Sequence, residues 1–130
     1  MKKLITCLFM FFCSLHICGC IKQSIINTSE IFPPNFFEEV KYINFYNFDG
    51  TIITCDDYNK IHSVLTILRD ANYELINEEN YVEGFYIFEF VTHTSTVSIG
   101  IENHHIAING QQYFSQSQLS NTILQTLKIN

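Results

Sequence analysis

The sequence predicts a single small α+β domain, a mostly antiparallel sheet with helices packed on one face. Three observations carry that prediction. Val40–Phe48, Gly84–Val91 and Thr96–Ile101 are rich in aromatic and β-branched residues and alternate with the period of a strand. Ile61, Val64, Leu65 and Leu68 recur at i, i+3, i+4 and i+7, and Leu119, Ile123, Leu124 and Leu127 repeat a helical spacing near the end. The turn signals between neighbouring strands are short, so those pairs read as hairpins.

In chain order the elements read strand, strand, helix, three strands, helix. Val40–Phe48 comes first, with Ile43 and Phe45 on one face. Asp49-Gly50 turns it, because glycine tolerates a positive φ. Thr51–Thr54 returns beside it. Asp56 is the expected N-cap of a helix running to about Ala71. Asn72–Glu83 is polar and acidic and reads as a loop. Gly84–Val91 is the third strand, His93-Thr94-Ser95 a turn, and Thr96–Ile101 the fourth strand, with Val97, Ile99 and Ile101 inward. Asn103-His104 makes another turn into His105–Asn109. Gly110 ends that strand, and Tyr113-Phe114 reads as a short extension. Ser115 and Gln118 have the spacing of a capping box before the last helix. The order of strands across the sheet stays open, because a helix separates the second strand from the third.

Residues 1–19 read as a secretory signal peptide: Lys2 and Lys3, then an apolar run from Leu4 to Ile17, then small residues. The run is short for a membrane-spanning helix of about 20 residues. Ile17-Cys18-Gly19-Cys20 resembles the lipobox of bacterial lipoproteins. That resemblance implies cleavage before Cys20 and a diacylglyceryl group on its sulfur, with the membrane as the first partner. Ile21–Pro34, with polar residues and paired prolines, reads as a spacer. The expected organisation is therefore signal peptide 1–19, lipidated Cys20 and tether 20–35, and the α+β domain 36–130.

Charge narrows the function. The chain carries 7 basic and 13 acidic residues. Cleavage before Cys20 removes two lysines and no acid, leaving 5 basic against 13 acidic residues, a net charge of −8. Nucleic-acid binding rests on Lys and Arg neutralising phosphates, and such a chain is unsuited to it. Of the five cysteines, the mature chain would keep Cys20, capped by lipid, and Cys55. Cys55 reads as a buried strand-end residue. Without lipidation, a Cys20–Cys55 disulfide becomes conceivable.

Few residues offer chemistry. Glu102, His104 and His105 are weak metal candidates, since a site wants three or four ligands with supporting partners. His93 lies at the opposite end of a strand from them. His62 borders the buried helical stripe. The carboxylate pairs Glu38-Glu39, Asp56-Asp57 and Glu78-Glu79 are sequence neighbours and do not converge on a cleft. No nucleophile elbow, zinc-protease or phosphate-loop motif occurs. No catalytic residue and no cofactor is expected. The aromatics are the remaining signal: strand alternation sets Tyr42 and Tyr46 beside Glu89 on the face away from Phe88 and Phe90. Tyrosine beside an acid on an open sheet suits protein recognition.

The expected function is that of a non-enzymatic, lipid-anchored binding protein on the extracytoplasmic face of a bacterial membrane. One concrete version is an inhibitor or immunity-type protein acting on another envelope or secreted protein. The alternatives are a small-ligand sensor or carrier with an apolar pocket between sheet and helices, and a secreted rather than anchored form. The lipobox, Thr96–Ile101, and Ile106-Ala107-Ile108-Asn109-Gly110 followed by Tyr113 also resemble small lipoproteins of low-GC Gram-positive bacteria. That resemblance implies the same signal, tether and domain, and carries no activity.

Overall fold

A computed structural model describes residues 24–129. The signal peptide, Cys20 and the first tether residues lie outside that range. The α+β prediction holds: eight strands form one antiparallel sheet, with helices over one face. The elements are β1 (Ile25–Ile26), α1 (Thr28–Ile31), α2 (Phe36–Glu39), β2 (Tyr42–Tyr46), β3 (Ile52–Cys55), α3 (Tyr58–Asp70), β4 (Tyr73–Leu75), β5 (Tyr86–Val91), β6 (Thr96–Glu102), β7 (His105–Ile108), β8 (Gln111–Ser115) and α4 (Leu119–Leu127). Their order across the sheet is β1-β4-β8-β7-β6-β5-β2-β3. Among the described residues, no helix is long and apolar enough to cross a membrane.

The core lies between the sheet and α3 and α4. Register shows how the strands build it. Ile43 pairs with Phe90 and Phe90 with Val97, while Phe45 pairs with Phe88 and Phe88 with Ile99. All six are buried. The helical stripe Ile61, Val64, Leu65 and Leu68 closes over them, as do Leu119, Ile123 and Leu127 of α4. Leu124 is only half-buried.

Four expectations need correction. The spacer reading fails from Ile25 onward. β1 pairs with β4, and Ile31 and Phe32 are each only 4 % exposed. Phe32 stacks on Phe36 and meets Tyr73 edge-on, so the prolines end a helical turn that is already in the core. Polar composition hid this, because few apolar side chains anchor the segment: Ile31 and Phe32 in the core, and Ile26 packed against it.

The supposed loop 72–83 contains β4 and a 3-10 turn at Glu78–Asn80. β4 is three residues long, with only Tyr73 fully buried, too short for an alternation to show. The expected extension at Tyr113-Phe114 is a full strand, β8. Asn109 and Gly110 both have positive φ, 52° and 77°, and form the tight turn that Asn-Gly favours between β7 and β8.

The helix caps also differ. Asp57, not Asp56, caps α3: its carboxylate accepts the main-chain N–H groups of Asn59 and Lys60 at 2.9 and 3.2 Å. Asp57→Ala should therefore cost about 1 kcal/mol in urea unfolding, while Asp56→Ala stays within about 0.5 kcal/mol. Equal effects would refute this capping assignment. At α4 no side chain acts as the cap. Instead the Asn103 carbonyl accepts the N–H groups of Leu119 and Ser120, and the Asn103 N–H donates to Ser120 Oγ at 3.0 Å. The turn between β6 and β7 thus serves the helix start.

The two crossovers fix what each sheet face shows. Successive antiparallel pairings make β3 parallel to β4, and β4 parallel to β5. The first connection carries α3 across the core face. The second, residues 76–85, runs over the opposite face. Gly100, Ala107 and Gln112 form one cross-strand row there. The Gln112 amide exchanges two hydrogen bonds of 2.9 Å with the main chain of Val82. Phe85 lies against Gly100, where an added Cβ would come within 3.0 Å of its ring. This strap covers the half of the face formed by β6, β7 and β8. Among the described residues, the half formed by β3, β2 and β5 has no such cover.

Candidate functional site

The uncovered half-face brings together the residues expected there. Facing positions are Tyr42 with Val91, Asn44 with Glu89, and Tyr46 with Ile87. On the outer side β3 adds Thr54 beside Asn44 and Ile52 beside Tyr46. Tyr46 and Glu89 are diagonal neighbours, and the Tyr46 hydroxyl donates to Glu89 Oε2 at 2.6 Å. This bond, with partial desolvation and the Glu89 charge, raises the Tyr46 phenol above its ordinary pKa. The Tyr46 phenol is thereby kept as a protonated donor at neutral pH. Tyr42 shares the face but sits two pleats away, across from Val91.

The sequence reading missed the apolar share of this surface. Ile87 is 39 % exposed and Ile52 is 54 % exposed, flanking Tyr46 on its two sides. It also missed the polar pair at its centre, where Thr54 Oγ1 donates to Asn44 Oδ1 at 2.8 Å. Alternation in Ile52–Cys55 puts Ile52 and Thr54 on one face, but their neighbours depend on register, which the sequence left open. The result is a surface with apolar ends, a hydrogen-bonded centre and one carboxylate. It can hold a protein surface by contact area and directed hydrogen bonds.

The metal candidates separate into structural roles. His104 Nδ1–H donates to the carbonyls of Ser115 and Ser117 at 3.0 and 3.1 Å, and its ring stacks on Phe114. Glu102 Oε1 accepts from the Asn103 side chain at 2.9 Å. His105 pairs with Glu102 across the strands and meets Phe114 edge-on. Among the described residues, no group of three or more His, Cys, Asp or Glu side chains could hold a metal ion. His62 is exposed on α3 and stacks on Tyr58; His93 is exposed in its turn.

Two recesses flank the sheet. One of about 450 Å3 lies under the strap, bordered by Glu74, Asn77, Asn80, His105 and Phe114. The other, about 220 Å3, lies at the outer side of β3 between Ile53, Cys55, Asp57, Lys60, Leu127 and Ile129. Cys55 is a half-buried free thiol at its wall. Comparison of the chain with protein-family models, with curated proteins and with solved structures returns no match.

Proposed function

We propose that this chain is a lipid-anchored, extracytoplasmic binding protein whose uncovered half-sheet engages another protein of the envelope or a secreted one. Tyr46, hydrogen-bonded to Glu89 and flanked by exposed Ile52 and Ile87, is the observation that carries the reading. Tyrosine offers large contact area with little rotamer entropy to lose, and the Glu89 bond fixes its ring in advance. An inhibitor or immunity-type protein is the concrete version, since it needs a rigid surface and no chemistry of its own. The small-ligand alternative is weaker. Between sheet and helices the space is filled by Phe36, Phe88, Phe90, Ile99 and Ile123, all almost wholly buried.

The anchor supports the same picture. With β1 starting at Ile25, a lipid on Cys20 would sit five residues ahead, at most about 18 Å of extended chain. The domain would stay close to the bilayer, β1 edge inward. Two acyl chains hold a protein stably where one does not. Cys20→Ala should therefore move the protein from the membrane pellet to the soluble fraction, with an intact mass lacking the diacylglyceryl group. Persistence in the pellet at unchanged mass would end the lipoprotein reading. Cross-linking in native envelopes should recover one partner with wild type and about tenfold less with Tyr46→Ala. Equal recovery would end the role of the half-sheet.

A further inference from the structure

β3 ends the sheet, and among the described residues no strand pairs with its outer side. The Asn47 N–H donates to the Thr51 carbonyl and the Asn47 carbonyl accepts from the Gly50 N–H, so Asn47 is the hydrogen-bonded position that closes the ladder against Gly50 and Thr51. Hydrogen-bonded positions alternate along an antiparallel ladder, so Phe45–Ile53 and Ile43–Cys55 bond inward. Ile52 and Thr54 are then the non-bonded positions. Their main-chain N–H and C=O groups point away from β2, into solvent. Free edges of this kind are usually blunted by lysine, proline or a bulge. Ile52-Ile53-Thr54-Cys55 has none of these, and Ile52, Ile53 and Thr54 are exposed. The recess of about 220 Å3 opens beside this edge on the helix side, with Ile53, Leu127 and Ile129 as its apolar wall.

Charge selects the occupant. Asp49 lies at one end of β3, and Asp56 and Asp57 at the other, all exposed. A second copy pairing antiparallel about Ile53, with Ile52 opposite Thr54, would set Asp49 opposite Asp57 of that copy at both ends. Like charges directly opposite are destabilising, so self-pairing in this register is disfavoured. The chain's own start is also excluded from the edge. Seven inter-strand steps of about 4.8 Å separate β1 from β3 by about 34 Å, beyond the reach of Cys20–Ser24 in a chain cut before Cys20.

We propose that the free edge of β3 receives an extended segment of the protein partner as a ninth strand, apolar at alternate positions and cationic at its ends. This rests on the binding-protein reading above and names the chemistry of the partner. The outward groups of Ile52 and Thr54 supply main-chain hydrogen bonds. An aliphatic side chain of the added strand fills the recess against Ile53 and Leu127. Lysine or arginine at the segment's ends meets Asp49 at one end and Asp56 and Asp57 at the other. Main-chain bonding gives affinity, and the recess and end charges give selectivity.

The test uses the full-length protein in detergent micelles and two labelled peptides, Lys-Val-Thr-Val-Thr-Val-Lys and its counterpart with glutamate at both ends, followed by fluorescence anisotropy. The lysine peptide should bind saturably, more weakly as salt rises, and the glutamate peptide about tenfold less tightly. Thr54→Pro removes an outward donor without touching the β2 ladder and should weaken the lysine peptide about tenfold. Thr54→Ala keeps that donor and should stay within about twofold. If Thr54→Pro does not fold, Asp56→Lys decides: it leaves the Asp57 cap intact and should narrow or reverse the preference between the peptides. The proposal is overturned if neither peptide binds, if folded Thr54→Pro binds like wild type, or if the mass doubles with concentration and Thr54→Pro abolishes the doubling. Tyr46→Ala should leave peptide binding intact. Peptide binding at β3 with no envelope partner recovered would therefore count against the half-sheet and not against the edge.

Discussion

A chain beginning at Phe36 is expected to melt about 20 °C or more below one that keeps residues 24–35. The missing segment brings Ile31 and Phe32 into the core, each almost wholly buried, and packs Ile26 against it. Phe32 lies against Phe36, Phe37 and Tyr73, so its loss leaves three aromatic side chains facing water or a void. Burying an isoleucine or phenylalanine contributes about 1.5–3 kcal/mol each, and an unfilled cavity adds to the loss. Removing β1 also strips β4, itself three residues long, of one of its two neighbours. About 5 kcal/mol in all is comparable to the whole stability of a domain this size. For such a domain 1 kcal/mol corresponds to about 4–8 °C. Thermal unfolding of the two chains by circular dichroism gives the comparison. Midpoints within a few degrees of one another would mean that the segment is a tether after all.

What the sequence disclosed follows from the length of each signal. Thr96–Ile101 alternates for long enough to fix its inward face, and Ile61–Leu68 spans enough turns to define a stripe; both hold in the structure. β4 and β1 are too short to alternate, and they exist because β8 offers β4 an edge and β4 in turn offers one to β1. β8 itself was legible in part. Asn109-Gly110 is a hairpin signal as strong as Asp49-Gly50, but the polar Gln111-Gln112 after it breaks the apolar pattern. Gln112 is polar because it holds the Val82 strap from the far face, a contact set by topology and not by local sequence.

The interaction face shows the same division. Strand period alone puts Tyr42, Tyr46 and Glu89 on the side away from Phe88. That Tyr46 meets Glu89 diagonally, and that Ile52 flanks it, depends on the register of β2 with both neighbours. The bareness of this half-face has a still less local cause. The strap turns back to β5 after covering Gly100, so it shields β6, β7 and β8 and leaves β5, β2 and β3 open. The same arrangement leaves β3 at the sheet's end. Face and edge thus meet at Ile52, and one partner could use both.

Alkaline pH is expected to unfold this domain through Tyr73. Its ring is fully buried against Phe32, and its hydroxyl donates to the Leu68 carbonyl at 2.8 Å. Leu68 lies in the last turn of α3, where carbonyls lack a helical partner, so the phenol completes the helix end. Burial pushes its ionisation far above the ordinary value of 10.0. The unfolded phenol loses its proton near pH 10 and the folded one does not, so the contribution is complete below that pH and shrinks above it. The loss is about 1.4 kcal/mol per pH unit, near 3 kcal/mol by about pH 12. Urea midpoints from about pH 9 to about pH 12 should fall accordingly for wild type. Tyr73→Phe should start about 1 kcal/mol lower at neutral pH, because the Leu68 carbonyl loses its donor, and then fall much less steeply. Tyr113, raised by partial burial and by Tyr81, accounts for part of the slope that remains. Parallel curves for the two proteins would show that alkaline unfolding has another origin, and that Tyr73 holds the end of α3 by packing alone.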